Sequence, residues 1–331
     1  MRQQLYHAMV VKEEAGNVFI REIREKNITE LPEHDVLIRV LFSSLNYKDA
    51  LSANGNKGVT RRYPHTPGID AAGTVVESRS PQFKTGDEVI VSGYELGTKI
   101  PGGFGGFIRV PAGWIVPLPQ GMSLYESMIY GTAGFTAAQS VLRIIDHGVK
   151  PEDGRILVTG STGGVGSISV ALLAGRGYRV TAVTGKSTQH AFLTGLGAEH
   201  IISRKEATDT TQKMLLREKW AGVIDTVGGD MLATAIRTTY YGGIVTCCGN
   251  VASPHLNLSV YPFILRGVTL SGIDSANCPL DLRKRIWNKL ASEWKINQIK
   301  DLAQIVDLNH LSDEINNMLK GKIKGRIVVR L

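Results

Sequence analysis

Gly163, Gly164 and Gly166 close a glycine-rich turn that begins Thr159-Gly160-Ser161-Thr162. The turn follows the apolar run Arg155-Ile-Leu-Val158 and leads into Ser167–Gly175, an alanine- and leucine-rich stretch with helical spacing. Strand, tight turn and helix in this order make a pyrophosphate-binding unit. The glycines let the backbone come close, and the start of the helix offers unpaired N–H groups and the positive end of its dipole. The chemistry this predicts is the binding of a dinucleotide.

The next strand in such a unit ends beside the adenosine ribose. An acid there holds a 2′-hydroxyl, whereas a base suits a 2′-phosphate. Here the strand ends Thr181-Ala-Val183 and is followed by Thr184-Gly185-Lys186-Ser187, with no acid before Glu199. Lys186 can neutralise a phosphate, and the neighbouring hydroxyls can donate to it. Arg204, in Ser203-Arg204-Lys205 just past the third strand, adds a second cation. The reading is NADPH rather than NADH.

Composition narrows the remaining classes. The chain has 331 residues, 43% hydrophobic and 21% charged, enough for two globular domains. It contains no apolar run near the roughly 20 residues that span a bilayer, and Met1–Tyr6 has no signal-peptide core. A cytoplasmic location without membrane association is expected. The cysteines are Cys247, Cys248 and Cys278, with no CxxC pair, which excludes a four-cysteine zinc site and argues against a disulfide framework. The adjacent pair reads as the buried end of a strand. The net charge of +8 is scattered, with clusters at Arg61-Arg62, Arg283-Lys284-Arg285 and Lys320 to Arg326. These are solvated surface or an attraction for a phosphorylated small molecule such as a coenzyme A ester. No recognition motif supports a nucleic-acid partner.

The elements that must position these residues fall into three stretches. Residues 1–125 hold short alternating strands at His7–Val11, Asn17–Ile23 and Asp35–Phe42, punctuated by glycine and proline, which predicts a partly open β-barrel. Helical spacing follows over Leu124–Ile129 and Gly134–Ile145. Strands are then expected at Ile156–Thr159, Arg179–Val183, His200–Ile202, Gly222–Thr226, Ile244–Cys248 and Val268–Gly272, with helices between them at Gln189–Leu196 and Met231–Thr238. Six strands alternating with helices predict an α/β fold with a doubly wound parallel sheet over 126–275. The tail, 276–331, carries an amphipathic helix over Leu282–Trp294, with Trp287 and Trp294 on one face, a second helix over Leu311–Leu319 and a closing strand at Arg326–Leu331. It is expected to return to the first domain.

Six stretches carry a family resemblance: Ser43-Ser-Leu-Asn-Tyr-Lys-Asp49, Pro67-Gly-Ile-Asp-Ala-Ala-Gly-Thr74, Gly131-Thr-Ala-Gly-Phe-Thr-Ala137, Thr159–Gly166, Pro262-Phe-Ile-Leu-Arg266 and Gly325-Arg326. The chain resembles the medium-chain dehydrogenase/reductases over nearly its whole length. Within them it is similar to the zinc-free quinone-oxidoreductase branch, and more narrowly to the bacterial NADPH-dependent acrylyl-CoA reductases. The resemblance implies a Rossmann domain beside a GroES-like barrel, and a homodimer joined through the nucleotide sheet around Val245 and Val268 to Leu270. It also implies Thr162, Gly163, Gly164 and Val165 at the pyrophosphate, and Thr184, Gly185, Lys186 and Arg204 at the 2′-phosphate. Gly249, Asn250, Ile264 and Ser275 fall near the nicotinamide, with Tyr47 as the catalytic side chain beside it. Zinc enzymes of the superfamily carry a cysteine near Asn46-Tyr47 and a histidine–glutamate pair near Gly68. Here those places read Asn46-Tyr47 and Gly68-Ile69-Asp70, and His65 has no sulfur partner nearby, so no metal is expected.

Metal-free hydride transfer suits a polarised C=C bond, with donors to the developing enolate oxygen. Tyr47 could donate to that oxygen. Asn46 could do the same or cap a helix beginning at Tyr47, and Tyr63 is a weaker candidate. Three functions stay open: an enoyl-thioester reductase acting on acrylyl-CoA, a quinone or small-enone reductase, and a cofactor-binding structural or RNA-binding protein. Lys57, Arg61 and Arg62 favour the first.

Overall fold

The computed structural model describes residues 4–211 and 213–331. The chain divides into two compact units, Met1–Thr132 with Ala276–Leu331, and Ala133–Ser275. Sequence texture places the first change at 125/126.

The first unit begins with the antiparallel hairpin β1 (Leu5–Glu14) and β2 (Val18–Asn27). Then come β3 (Val36–Leu45), α1 (Tyr47–Ala53), β4 (Asp70–Ser78), β5 (Glu88–Ser92), β6 (Phe107–Val110) and β7 (Ile115–Pro117). The long α2 (Leu124–Asp146) leaves helical angles at Gly131, with φ 49° and ψ −157°. The two helical segments read from the sequence are thus one stretch broken by a single glycine in a conformation that disfavours other residues.

The second unit holds the alternating βα pattern: β8 (Arg155–Val158), α3 (Gly164–Ala174), β9 (Arg179–Val183), α4 (His190–Gly195), β10 (Ala198–Ile202), β11 (Trp220–Asp225), α5 (Gly229–Arg237), β12 (Thr239–Cys247), α6 (Tyr261–Arg266) and β13 (Thr269–Gly272). All six strands are parallel, in the order β10-β9-β8-β11-β12-β13. Numbered within the unit this is 3-2-1-4-5-6, the doubly wound order, whose ligand crevice lies at the carboxyl ends beside the first strand. Its central strands are apolar without alternation because helices cover both faces. Leu157, Val183, Val223 and Val245 pack with Met231, Leu232, Ala235 and Ile236 of α5 in one core.

The tail adds α7 (Leu280–Ala291), β14 (Ala303–Val306), α8 (Leu308–Leu319) and β15 (Arg326–Arg330). β15 pairs antiparallel with β3, Ile327 opposite Leu45, in a seven-stranded sheet of the first unit. Trp287 and Trp294 are both buried, but α7 ends at Ala291, so they do not share one helical face as expected; Trp294 follows the helix and its N–H bonds Lys289 O at 2.8 Å. Val36, Ile38 and Val40 of β3 enter one core, while Leu37 enters another with Tyr6 and Phe107. Both faces of β3 are therefore covered.

His65 joins this unit to a pH response. Its backbone exchanges hydrogen bonds with Val11 at 2.7 and 2.9 Å. Its side chain is buried with Nε2 unpartnered, and burial pushes its pKa below the usual histidine value. The unfolded chain therefore takes a proton first as pH falls. The stability that goes with neutral His65 is full above about 6.5 and drains away below it. Melting temperature is expected to fall more steeply between pH 7 and 5 for the wild type than for His65→Leu; parallel curves would refute this.

Candidate functional site

The phosphate turn is built by close packing. Gly160 has φ 59°, and a Cβ on it would lie 2.3 Å from Thr226 Oγ1. Ser161 occupies the place of the first motif glycine, and its side chain explains why serine fits. Its Oγ donates to Val158 O at 2.7 Å and accepts from Val183 N at 2.9 Å, tying the ends of β8 and β9 together. Gly163 is the N-cap residue of α3, and the helix starts at Gly164, three residues before the expected Ser167. At Gly166 a Cβ would fall 2.4 Å from Gly160 O and 2.7 Å from Ser161 Cα, so the helix touches its own turn there. The N–H groups of Gly164, Val165 and Gly166 are in the first turn and have no acceptor within the helix. Thr162 is buried and Val165 half-buried beside them. The turn has the donors and the dipole that a pyrophosphate requires.

The ribose end lies one strand over. Thr184 N donates to Ile202 O at 3.1 Å, extending the β9–β10 ladder, and Thr184 Oγ1 accepts from Lys186 N at 3.0 Å. Lys186 is half-buried, and burial together with the charge of Arg204 lowers its pKa. Arg204 packs against Gly185, where a Cβ would stand 2.8 Å from its Nε. Each of these like charges disfavours the charged form of the other, and an anion beside them relieves that repulsion. Lys186 and Arg204, read as a pair across two strands, are brought together, and their donor set fits a 2′-phosphate.

Of the residues expected near the nicotinamide, Gly249 and Asn250 follow β12, and a Cβ on Gly249 would meet Thr226 O at 2.0 Å. Ser275 lies three residues past β13 and is half-buried. Ile264 sits on α6 with 66% of its surface exposed. The end of β12 also carries the vicinal cysteines. Burial raises both thiol pKa values, that of Cys248 to about 12, and Cys248 Sγ donates to Asp225 O at 3.3 Å.

In the first unit, Tyr47 is the first residue of α1 and is 37% exposed. Asn46 is the N-cap residue, but its amide turns inward and donates to Asp70 Oδ2 at 2.8 Å and Asp49 Oδ2 at 3.2 Å. Asp49 is fully buried and accepts the N–H groups of Asn46, Gly68 and Ile69 at 2.9, 3.1 and 2.8 Å. Burial, then the Asp70 charge, push its pKa up to about 7. Asp70 accepts from Ser44 Oγ at 2.6 Å and from Thr132 N at 2.8 Å. The break at Gly131 starts a new helical run, and Asp70 caps it. Arg326 lies buried with Nε on Ile129 O at 2.9 Å, and its charge opposes those of the two acids. The turn bearing Tyr47 therefore stands on a buried charged cluster. Asp49, Asp70 and Arg326 lie in stretches that carry the resemblance, yet sequence reading assigns them no site role. An acid inside Gly-Ile-Asp-Ala-Ala and an arginine opening an apolar strand are the signals that could have found them.

Two secondary candidates are occupied otherwise. The Tyr63 hydroxyl donates to Ser52 O at 2.6 Å. Lys57 pairs with Glu13 and lies over the rings of Phe19 and Tyr63. Arg61 and Arg62 are exposed.

Two families match successive parts of the chain, the second running past Ser275 into the tail. Residues 32–120 match the alcohol dehydrogenase GroES-like domain, and 164–292 match the zinc-binding dehydrogenase family. The chain is 44% identical to YhfP of Bacillus subtilis, named a quinone oxidoreductase, over 99% of both chains. The structure of that protein with NAD bound superposes with a TM-score of 0.96, at 43% identity over 99% of this chain and 100% of that one. The acrylyl-CoA reductase AcuI of Ruegeria pomeroyi is 40% identical over 98% of this chain and 99% of its own. The yhdH oxidoreductase of Salmonella enterica, solved with NADP, has a TM-score of 0.95 at 38% identity, covering 98% and 99% of the two chains. Despite the name of the second matching family, the stretches near which zinc enzymes of the superfamily carry their ligands read Asn46-Tyr47 and Gly68-Ile69-Asp70 here. The chain belongs to the medium-chain dehydrogenase/reductases, in their zinc-free quinone-oxidoreductase branch.

Proposed function

We propose that the chain is an NADPH-dependent reductase of the C=C bond of an α,β-unsaturated acyl thioester, converting acrylyl-CoA to propionyl-CoA. The observation that carries the substrate class is 40% identity to an acrylyl-CoA reductase across both whole chains. Lys186 and Arg204, with no acid between Val183 and Glu199, carry the cofactor choice. When bound, NADPH supplies the hydride for the β-carbon. The enolate this forms takes a proton at its α-carbon to give the propionyl thioester, and the residues of this chain bind and orient the reactants. The first turn of α3 holds the pyrophosphate, Lys186 and Arg204 hold the 2′-phosphate, and the exposed phenol of Tyr47 donates to the thioester oxygen as enolate charge develops. The buried acids behind Asn46 keep Tyr47 in place.

A second reading, reduction of a quinone or small enone, is favoured by the 44% identity to YhfP. Both readings include a homodimer joined at β13, which ends the parallel sheet and exposes Leu270, whereas Val245 and Val268 lie in the core of this unit.

The deciding experiment follows NADPH oxidation with acrylyl-CoA, crotonyl-CoA, quinones and free enones side by side. Acrylyl-CoA is expected to give the highest kcat/KM, with propionyl-CoA as product and a loss of rate in Tyr47→Phe. Turnover of quinones with none of the thioesters would select the second reading.

A further inference from the structure

Beneath the carboxyl edge of the parallel sheet lies a buried carboxylate that the proposed reaction does not use. Asp225 is the last residue of β11 and has no exposed surface. Its Oδ1 accepts the Thr159 hydroxyl at 2.7 Å, and its Oδ2 accepts the N–H groups of Val227 at 3.2 Å and Gly228 at 2.8 Å. The Thr159 hydroxyl in turn accepts Thr226 N at 2.9 Å, and the Thr226 hydroxyl donates to Thr159 O at 2.9 Å. The main-chain carbonyl of Asp225 accepts Cys248 N at 3.0 Å. One residue thus links the ends of the adjacent strands β8, β11 and β12.

We infer that Asp225, acting with Thr159, is a positioning residue for the dinucleotide, holding the phosphate turn and the loop after β12 on a common support. The inference rests on the dinucleotide reading of that turn. Thr159 is followed directly by Gly160, which opens the turn, and Cys248 is followed by Gly249. Both glycines rest on Thr226: added Cβ atoms would lie 2.3 Å from its Oγ1 and 2.0 Å from its carbonyl oxygen. Thr226 is itself oriented by Thr159 and by the turn that Asp225 holds. A buried carboxylate served by neutral donors is unfavourable unless its lone pairs are filled. Burial accordingly raises the pKa of Asp225, against its hydrogen bonds to Thr159, Gly228 and Val227. An amide of the same shape would turn its NH2 group either toward the Val227 and Gly228 N–H groups or toward the Thr159 hydroxyl, whose proton then loses its acceptor, so only a carboxylate accepts from all three donors.

The test uses the full chain, titrated with NADPH and with NADH by fluorescence, alongside melting temperature. In Asp225→Asn and Thr159→Val, both Kd values are expected to rise by the same factor, about tenfold, so that the NADPH-to-NADH ratio is unchanged. Thr159→Ser, which keeps the hydroxyl, is expected to bind both like the wild type. Lowered melting temperature with both Kd values unchanged would overturn the inference, as would a loss confined to NADPH. Should Asp225→Asn fail to fold, the two Thr159 variants decide by the same criteria. A wild-type chain that binds neither cofactor would overturn the dinucleotide reading, and this inference with it. Wild-type binding with unaltered variants would overturn this inference alone.

Discussion

Gly166→Val is expected to abolish binding of both nicotinamide cofactors, weakening each by more than about a hundredfold, and to lower the melting temperature. The added Cβ would lie 2.4 Å from Gly160 O and 2.7 Å from Ser161 Cα. Both are backbone atoms of the turn itself, and neither can move aside as a flexible side chain would. The start of α3 must therefore back away from the turn. That separates the first-turn N–H groups from the place where the pyrophosphate charge would sit, and the benefit of a helix N-terminus falls off within one turn. Isothermal titration with NADPH and NADH checks the effect. Retention of either affinity within tenfold would show that the helix start does not hold the pyrophosphate. Gly163, whose nearest contact for a Cβ is Gly160 O at 3.3 Å, is expected to tolerate alanine with a much smaller loss.

Lys186→Ala is expected to act on one cofactor only. Loss of a charge-assisted contact to the 2′-phosphate costs about 1–3 kcal/mol, or tenfold to a hundredfold in NADPH affinity. Partial exposure of Lys186 sets the result toward the lower end. NADH lacks that phosphate, so its KM should hardly change. Gly185→Ala should move the ratio the same way by less, because its new methyl displaces only the flexible Arg204 side chain. Steady-state KM values for the two cofactors provide the measurement. Equal effects on both would remove Lys186 from the phosphate site.

The two substitutions also separate what the local chain dictates from what folding assembles. The parallel sheet was legible because its strands are buried on both faces, so Ile156-Leu-Val158 appears as an apolar run, and Val180–Val183 as a run broken only by the buried Thr181, between glycine turns. The phosphate turn was legible because close backbone approach demands glycine at fixed spacing. Lys186 and Arg204, the residues proposed for the 2′-phosphate, were legible because they follow closely after two strands. Strand ends proved less certain, by as many as five residues at the start of β12, since hydrogen-bond ladders continue past the apolar stretch, as at Thr184 N to Ile202 O.

Tertiary structure decided what depends on residues far apart in sequence. Asp49, Asp70 and Arg326 form one buried cluster although 256 positions separate Asp70 from Arg326, because β15 returns to pair with β3. Nothing in their local patterns says that Asp70 will cap a helix broken at Gly131. Lys57 shows the reverse case: as sequence it is a free cation for an anionic substrate, and in the fold it pairs with Glu13 of β1. The turn, the sheet and the cofactor phosphate are matters of short-range spacing, where backbone sterics and periodicity speak directly. The support under Tyr47 and the one under Thr226 are matters of strand pairing, which brings distant polar groups into the same buried volume and requires each to find its partner there.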